Sequence, residues 1–265
     1  MNLTARWLGQ AGFLLSQGDD HLLLDPYLSD SLARKYAGTL FAHVRLREAP
    51  VAVADLPALW AVTTSHAHTD HMDPDTLGPL LALQESARLA CPRAVVGQAL
   101  SRSGVDSERI DPLADGEQRT YGPYTVTAVP SAHEDRVRDE LGDDHFLGYI
   151  VTTAATGVYH SGDCVPWDGL AARLRDHRID VALLPVNGRD AHRRANGVPG
   201  NFTFAEAVRL CEEAGIGTLV PHHWGMFEFN TVDPRSFDLA LAERAGVRVV
   251  VPEHGGTPDL TQAHA

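Results

Sequence analysis

Trp60-Ala61-Val62-Thr63-Thr64 runs without a break into Ser65-His66-Ala67-His68-Thr69-Asp70-His71, and Asp73-Pro74 follows at once. The first segment is short, apolar and β-branched, as a buried strand is. An acidic cap with proline in the first turn starts a helix after the second. Between them, His66, His68, Asp70 and His71 place four potential ligands in six residues. Alternate residues of a loop can face one way, so His66 and His68 can grip one ion while Asp70 and His71 turn toward a neighbouring position. Neutral imidazole and carboxylate suit zinc, manganese or iron.

The same arrangement recurs along the chain. Predicted strands ending near Thr64, Val129, His160 and Val220 each lead into a short segment carrying His or Asp: Ser65–His71, Pro130-Ser131-Ala132-His133, Ser161-Gly162-Asp163 and Pro221-His222-His223. In sheets flanked by helices, ligands gather at strand ends, where loops carry the polar groups and the sheet stays apolar. A lone His or Asp there is usually a hydrogen-bonded turn residue. Four such ends together point to a metal centre. His133, Asp163 and His222 or His223 can complete two sites, with the two oxygens of Asp163 suited to bridge cations roughly 3.5–4 Å apart.

The other elements follow from pattern. Thr4–Leu8, Gly12–Ser16 and His21–Asp25 read as a β-meander, closed by Asp25-Pro26. Residues 29–58 read as a helix plus a loop. Further strands are expected at Ala94–Val96, after Ser107–Ile110, at Tyr124–Val129, at Phe146–Thr152 paired with Val158–His160, and at Val181–Pro185, Thr218–Val220 and Arg248–Val251. Helices are expected at Leu170–Arg175, at Thr203–Ala214 with Gly215 as its stop, and at Pro234–Ala245. With no linker or repeat, one domain over residues 1–265 is the economical reading.

Composition bounds the function. Lys+Arg is 22 against Asp+Glu 35, a formal net charge of −13, which disfavours nucleic-acid and anionic-membrane partners. Three cysteines, Cys91, Cys164 and Cys211, make no disulfide framework and fit a reducing compartment. Met1–Asp20 carries no leader pattern, and no apolar run nears the ~20 residues of a membrane span, so a cytoplasmic protein is expected. Of the 14 histidines, His21, His43, His177 and His264 lack a partner pattern and read as surface residues. Lys35 is the only lysine.

His66, His68, Asp70 and His71 form an HxHxDH motif, and with His133, Asp163 and His223 in order the chain resembles the metallo-β-lactamase superfamily. The resemblance runs from Trp7-Leu8-Gly9-Gln10-Ala11-Gly12-Phe13 onward. It implies an α/β, four-layer αβ/βα sandwich, with two mixed sheets face to face and helices outside. It also implies one metal on His66, His68 and His133, a second on Asp70, His71 and His223, and Asp163 shared. Pro221, His223, Trp224, Met226 and Phe227 match a Pro-x-His-Trp-x-Met-Phe segment, which favours His223 over His222 as the ligand. Histidine rather than glutamate at position 68 argues for a hydrolase with one or two divalent cations, manganese or zinc, and against diiron redox chemistry.

Leu184-Pro185-Val186-Asn187-Gly188-Arg189-Asp190, with Gly200-Asn201 and the later histidine segment, resembles the L-ascorbate-6-phosphate lactonase (UlaG-like) branch. Pro252-Glu253-His254-Gly255 departs from it. The resemblance implies a small-molecule substrate and allows a homo-oligomer. Arg189 offers a planar fork for phosphate or carboxylate, Asn187 and Asn201 suit sugar hydroxyls, Asp190 can orient Arg189, and Trp224 joins them as a substrate residue. The expected reaction is lactone opening by water activated on the metal, with Asp70 orienting or deprotonating the nucleophile and His222 or His160 protonating the leaving group. Phosphodiester hydrolysis on a cyclic nucleotide or phospholipid head group is the alternative, and a non-catalytic metal scaffold the second.

Overall fold

The computed structural model describes Leu3–Leu260, so His264 lies outside the described residues. The opening meander forms as its alternation requires. Strands β1 (Thr4–Gly9), β2 (Gly12–Gln17) and β3 (Asp20–Leu24) pair antiparallel. β3 then pairs parallel with β4 (Ala61–Thr63), β4 with β5 (Arg88–Pro92), and β5 with β6 (Ile110–Leu113). This six-stranded sheet has the order β1-β2-β3-β4-β5-β6.

The second sheet repeats that logic. β7 (Gln118–Tyr121), β8 (Tyr124–Pro130), β9 (Leu147–Thr152) and β10 (Gly157–His160) are antiparallel. β10, β11 (Val181–Pro185), β12 (Thr218–His222) and β13 (Arg248–Val249) are parallel. The order is β13-β12-β11-β10-β9-β8-β7.

Side-chain alternation along each strand stacks the layers. Trp7, Phe13, Leu15, Leu22 and Leu24 point into one core with Val126, Ala128, Tyr149 and Val151 of the other sheet. Their neighbours Leu8, Leu14, Leu23, Val62 and Leu89 face the other way and pack on Leu77, Leu80 and Leu81 of α2 (Pro74–Leu83) and Ala99 of α3 (Val96–Ser103). α4 (Leu170–Arg175) and α6 (Phe204–Ala214) cover the second sheet, α6 packing on β11 and β12. Helix, sheet, sheet and helix therefore form the αβ/βα sandwich. Among the described residues, no helix is long and apolar enough to cross a membrane.

Several local expectations are corrected. Residues 94–96 are not a strand. The strand is Arg88–Pro92, and Arg93–Val95 is a 3-10 turn leading into α3. A three-residue apolar run carries no periodicity, and Val95 is buried either way. The span 234–245 is broken: Asp233 caps a 3-10 turn at Pro234–Ser236, Phe237 is extended, and Asp238 caps α7 (Leu239–Arg244). β7 has an exposed, polar pattern and escaped the sequence reading. In the 29–58 segment the helix is only α1 (Ser31–Lys35). A further short helix, α5 (Ala191–Ala195), starts on Asp190.

Candidate metal centre

The centre lies where strand ends of the two sheets meet. β4 delivers Ser65 and His66, and the chain then turns back, with His71 N and Met72 N donating to the His68 carbonyl at 3.1 and 2.8 Å. That turn brings Asp70 and His71 round beside His66, whose ring lies 4.1 Å from that of His71 and 4.5 Å from that of His68. The turn is held from behind. Asp73 caps α2 and accepts from Ser29 Oγ (2.6 Å), Ser31 Oγ (2.7 Å) and Thr76 Oγ1 (2.6 Å). β8 leads to His133, β10 to Asp163 and β12 to His223.

These side chains fall into two donor sets. His66, His68, His133 and Asp163 form one, and Asp70, His71, Asp163 and His223 the other, with all donor atoms of a set within 4.8 Å of one another. Asp163 belongs to both. Its Oδ2 is 3.4 Å from His133 Nε2, while its Oδ1 is 3.3 Å from His71 Nε2 and 3.1 Å from His223 Nε2. Asp70 Oδ2 is 3.7 Å from His71 Nε2 and 3.6 Å from His223 Nε2. His66 Nε2, His71 Nε2 and Asp163 Oδ1 are buried without a hydrogen-bond partner. Buried polar atoms are seldom left so, and three converging in one place fit a cation. Imidazole nitrogen and carboxylate oxygen are donors that zinc and manganese both accept.

The opposite edges of the rings are already engaged. His71 Nδ1 is 2.6 Å from Asp25 Oδ2, and Asp25 also accepts from Ser65 N at 2.8 Å and from Ser65 Oγ. His133 Nδ1 donates to the Gly200 carbonyl at 3.1 Å, and His66 Nδ1 meets Ser65 Oγ at 3.0 Å. Such outer bonds fix each ring's tautomer and turn Nε2 toward the centre. Gly200 is required there, because a Cβ would lie 2.0 Å from Arg189 Cβ.

Charge is balanced inside the cluster. Burial pushes the Asp70 carboxyl up, but the neighbouring His71 and His223 rings outweigh it and hold it well below the carboxylate range. Burial alone would lower His223, yet Asp163 and Asp70 raise it to about 9, and His71 is raised likewise. Burial dominates at His133, lowered to about 4, and at His66.

The sequence profile of the Beta-lactamase superfamily domain matches residues 21–224. The chain belongs to the metallo-β-lactamase superfamily. Among superfamily relatives, an uncharacterized protein of Mycobacterium tuberculosis is 30% identical over 234 residues, covering 85% of this chain, and the chain spans 59% of that relative's length. A UPF0173 metal-dependent hydrolase of Archaeoglobus fulgidus is 29% identical over 89% of each chain. Two solved structures share the fold. An isothiocyanate hydrolase from Delia radicum gut bacteria has a TM-score of 0.74 at 19% identity, covering 96% of this chain and 97% of its own. The metallo-β-lactamase fold protein YhfI of Bacillus subtilis has a TM-score of 0.66 at 18% identity, covering 96% and 98%.

In this superfamily member the second group of expected residues lies elsewhere. A cleft of about 490 Å³ opens over the centre, lined by His68, Asp70, His133, Asp163 and His223 and walled in part by Lys35, Tyr36, Phe41, His43 and Asn230. Asn187, Arg189, Asp190, Asn201, Trp224 and His222 do not line it. The Arg189 fork is closed on Glu206 at 2.6 and 2.7 Å, with a third bond to the Asn201 carbonyl. Asp190 caps α5 and pairs with Arg193 at 2.5 Å. Trp224 is buried against Trp7, 4.8 Å between ring centroids, and donates to the Pro221 carbonyl.

His222 is fully buried, stacked 5.3 Å from His160, so neither ring faces the cleft as a proton donor. His254, the departure from the branch pattern, packs edge-on to Trp7 at 5.9 Å and bonds the Glu48 carbonyl. Asn201 and Asn187 act as a brace. Asn201 accepts from Cys164 N beside Asp163 and donates to Asn187, which donates to Asn230 of the cleft wall.

Three site residues escaped the sequence reading. Asp25 carried a signal, the Asp-Pro at a strand end. Gln10 belongs to the Trp7–Phe13 stretch that carries the resemblance, but nothing there marks it as a site residue. His43, read as a surface residue, stacks on Tyr36 at 4.3 Å and meets Phe227 and Phe229 at 4.9 and 4.7 Å. Nothing in its sequence neighbourhood signals that packing.

Proposed function

We propose that the chain is a metal-dependent hydrolase that opens the lactone of a small acidic or phosphorylated sugar derivative. One observation carries the reading: two His/Asp donor sets share the buried carboxylate of Asp163 at the base of a cleft of about 490 Å³, a size suited to one small molecule. His66, His68, His133 and Asp163 would hold one divalent cation, and Asp70, His71, Asp163 and His223 a second. Zinc or manganese held there would lower the pKa of bound water toward about 7 and polarise a carbonyl oxygen.

The protein's own groups supply the rest. Asp70, ionised at neutral pH and with its side chain 17% exposed, is placed to orient the attacking water. Tyr36, Phe41 and His43 offer flat faces to a ring. Asn230, Thr39 and Thr69 offer neutral hydrogen bonds to hydroxyls, and Lys35, which donates to Thr69 Oγ1 at 3.3 Å, is a lining cation that can meet one acidic group. Arg102 also lines the cleft, and its Nη1 donates to the Ala67 and Met72 carbonyls, which support the HxHxDH turn. One lysine in a chain of net charge −13 suits a substrate with a single anionic group better than a polyanion.

The test is a panel assay on protein loaded with Mn(II) or Zn(II). Sugar-acid lactones, with and without a phosphate, are compared with p-nitrophenyl acetate and bis-p-nitrophenyl phosphate. Lactone turnover that Asp163→Asn or His68→Ala abolishes, with the fold retained by circular dichroism, supports the reading. Faster cleavage of the phosphodiester assigns the second reaction class. Fully loaded protein inert on the whole panel assigns a non-catalytic metal scaffold.

A further inference from the structure

Gln10 is buried in the turn between β1 and β2 with a φ of +50°, a left-handed conformation that non-glycine residues rarely hold. The turn is pinned there. The Gln10 carbonyl accepts from Trp7 Nε1 at 3.0 Å and from His223 N at 3.0 Å. Its side chain is therefore aimed, not loose. The carboxamide nitrogen lies 2.8 Å from Asp70 Oδ2 and 3.0 Å from His223 Nε2, both donor atoms of the second set, while Oε1 is buried with no partner.

Once His223 Nε2 gives its single lone pair to a cation it has nothing left to accept an amide hydrogen. A half-turn of the carboxamide exchanges its two heads and puts an oxygen at that same point. Ligands at right angles on one cation, with bonds of about 2.1 Å, stand about 3.0 Å apart. The Gln10 head group already keeps that spacing from both Asp70 and His223.

We propose that Gln10 Oε1 is a fifth ligand of the second cation, beside Asp70, His71, Asp163 and His223. It makes that site harder and higher in coordination than the three-histidine site. The assignment rests on the two-cation reading above. The bond to Asp70 uses only the nitrogen of the head group and leaves the buried Oε1 without a partner, and a left-handed backbone at a non-glycine residue is held where surrounding contacts over-determine it.

Calorimetric titration of chelator-treated protein with Zn(II), beside the d–d spectrum of the Co(II) form, tests it. The expected result is two binding steps in the wild type. In Gln10→Met one step loses at least about tenfold in affinity while the other keeps its own, and the Co(II) bands of the second site intensify as coordination number falls. Gln10→Glu should restore the lost step, because a carboxylate oxygen can ligate and yet cannot donate to Asp70.

Two unaltered steps and an unaltered spectrum in Gln10→Met overturn the assignment. So does a Gln10→Glu protein as impaired as Gln10→Met, since that result makes the amide hydrogen the active group. A wild type that takes only one cation overturns the two-cation reading and this assignment with it. If Gln10→Met does not fold, carbon NMR of the wild type decides: the Gln10 Cδ signal moves downfield with the second zinc equivalent if the oxygen ligates, and stays put if it does not.

Discussion

Gln10 and His223 are joined twice, main chain to main chain at 3.0 Å and head group to ring at 3.0 Å, and both hold left-handed backbones, with φ of +50° and +64°. One sits in the β1–β2 turn of the first sheet, the other just past β12 of the second. The candidate metal centre is therefore built across the seam between the sheets. A cation held there would tie the halves of the sandwich together.

Chelation should accordingly destabilise the protein. A ligand at 100 times its Kd adds about 2.7 kcal/mol to the folded state, and in a chain of this size each kcal/mol moves Tm by about 2–4 °C. Treatment with EDTA should lower Tm by about 5–10 °C, with recovery on adding Zn(II) or Mn(II). Calorimetry that shows the same Tm with and without chelator would contradict the seam position of the metal.

Asp25 should matter as much as a direct ligand's neighbour can. It accepts from His71 Nδ1 at 2.6 Å and so leaves Nε2 as the donor atom. Asp25→Asn keeps the shape but removes the charge and allows the wrong tautomer. Affinity of the second site should fall by about 10–100-fold, measured by competition with a chromogenic chelator, with the first site less affected.

Arg189, expected to hold substrate, lies outside the cleft lining, and its role can be tested directly. If it held substrate, Arg189→Ala would raise KM steeply. Its guanidinium instead closes on Glu206, which also completes the capping box of α6 with Thr203. The ion pair is partly exposed, 29% and 24%, so the loss should be about 1 kcal/mol, seen as a lower urea midpoint. KM on any substrate found for the wild type should stay within about twofold. A tenfold rise would return Arg189 to the substrate side.

Acid and alkali should act on different histidines of the chelated protein. His133, lowered to about 4 by burial, and His66, His160 and His222, lowered for the same reason, are neutral when folded but take up protons near 6.5 when unfolded. The unfolded state then binds more protons, so stability is lost as pH falls below about 6.5. His71 and His223 behave oppositely. Both are raised, His223 to about 9, so their contribution is present below about 6.5 and is lost as pH rises toward 9. The Tm of EDTA-treated protein should peak near neutrality and fall on both sides. With metal bound, the alkaline fall should vanish, because the cation replaces those protons. A Tm flat from pH 5 to 9 after chelation would contradict these assignments.

Much of the centre could be read from the chain alone. Strand-ending ligands reveal themselves locally: an apolar run sets the strand, and the residue that breaks it into His or Asp is adjacent in sequence. That is why His66, His68, Asp70, His71, His133 and Asp163 were legible as candidate ligands, whereas the preference for His223 over its neighbour and the layered fold came from the resemblance that the motifs carry. The same reasoning could not show where Asn187, Arg189 and Asp190 end up, which is away from the cleft lining. They too follow a strand, β11, but their partners Asn230, Glu206 and Arg193 lie 43, 17 and 3 residues on, and only folding shows that those partners already satisfy them.

The sequence by itself determined which atoms can bind a cation and at which strand ends they stand, because ligand chemistry and strand periodicity are properties of short stretches. Only the tertiary structure decided which ring edges are locked from behind by Asp25 and Gly200, that His43 and Lys35 wall the cleft, and that Gln10 reaches the ligands. Those facts depend on two sheets closing face to face. Partners brought together across up to 213 residues of chain, as Gln10 and His223 are, leave no mark on the sequence near either one.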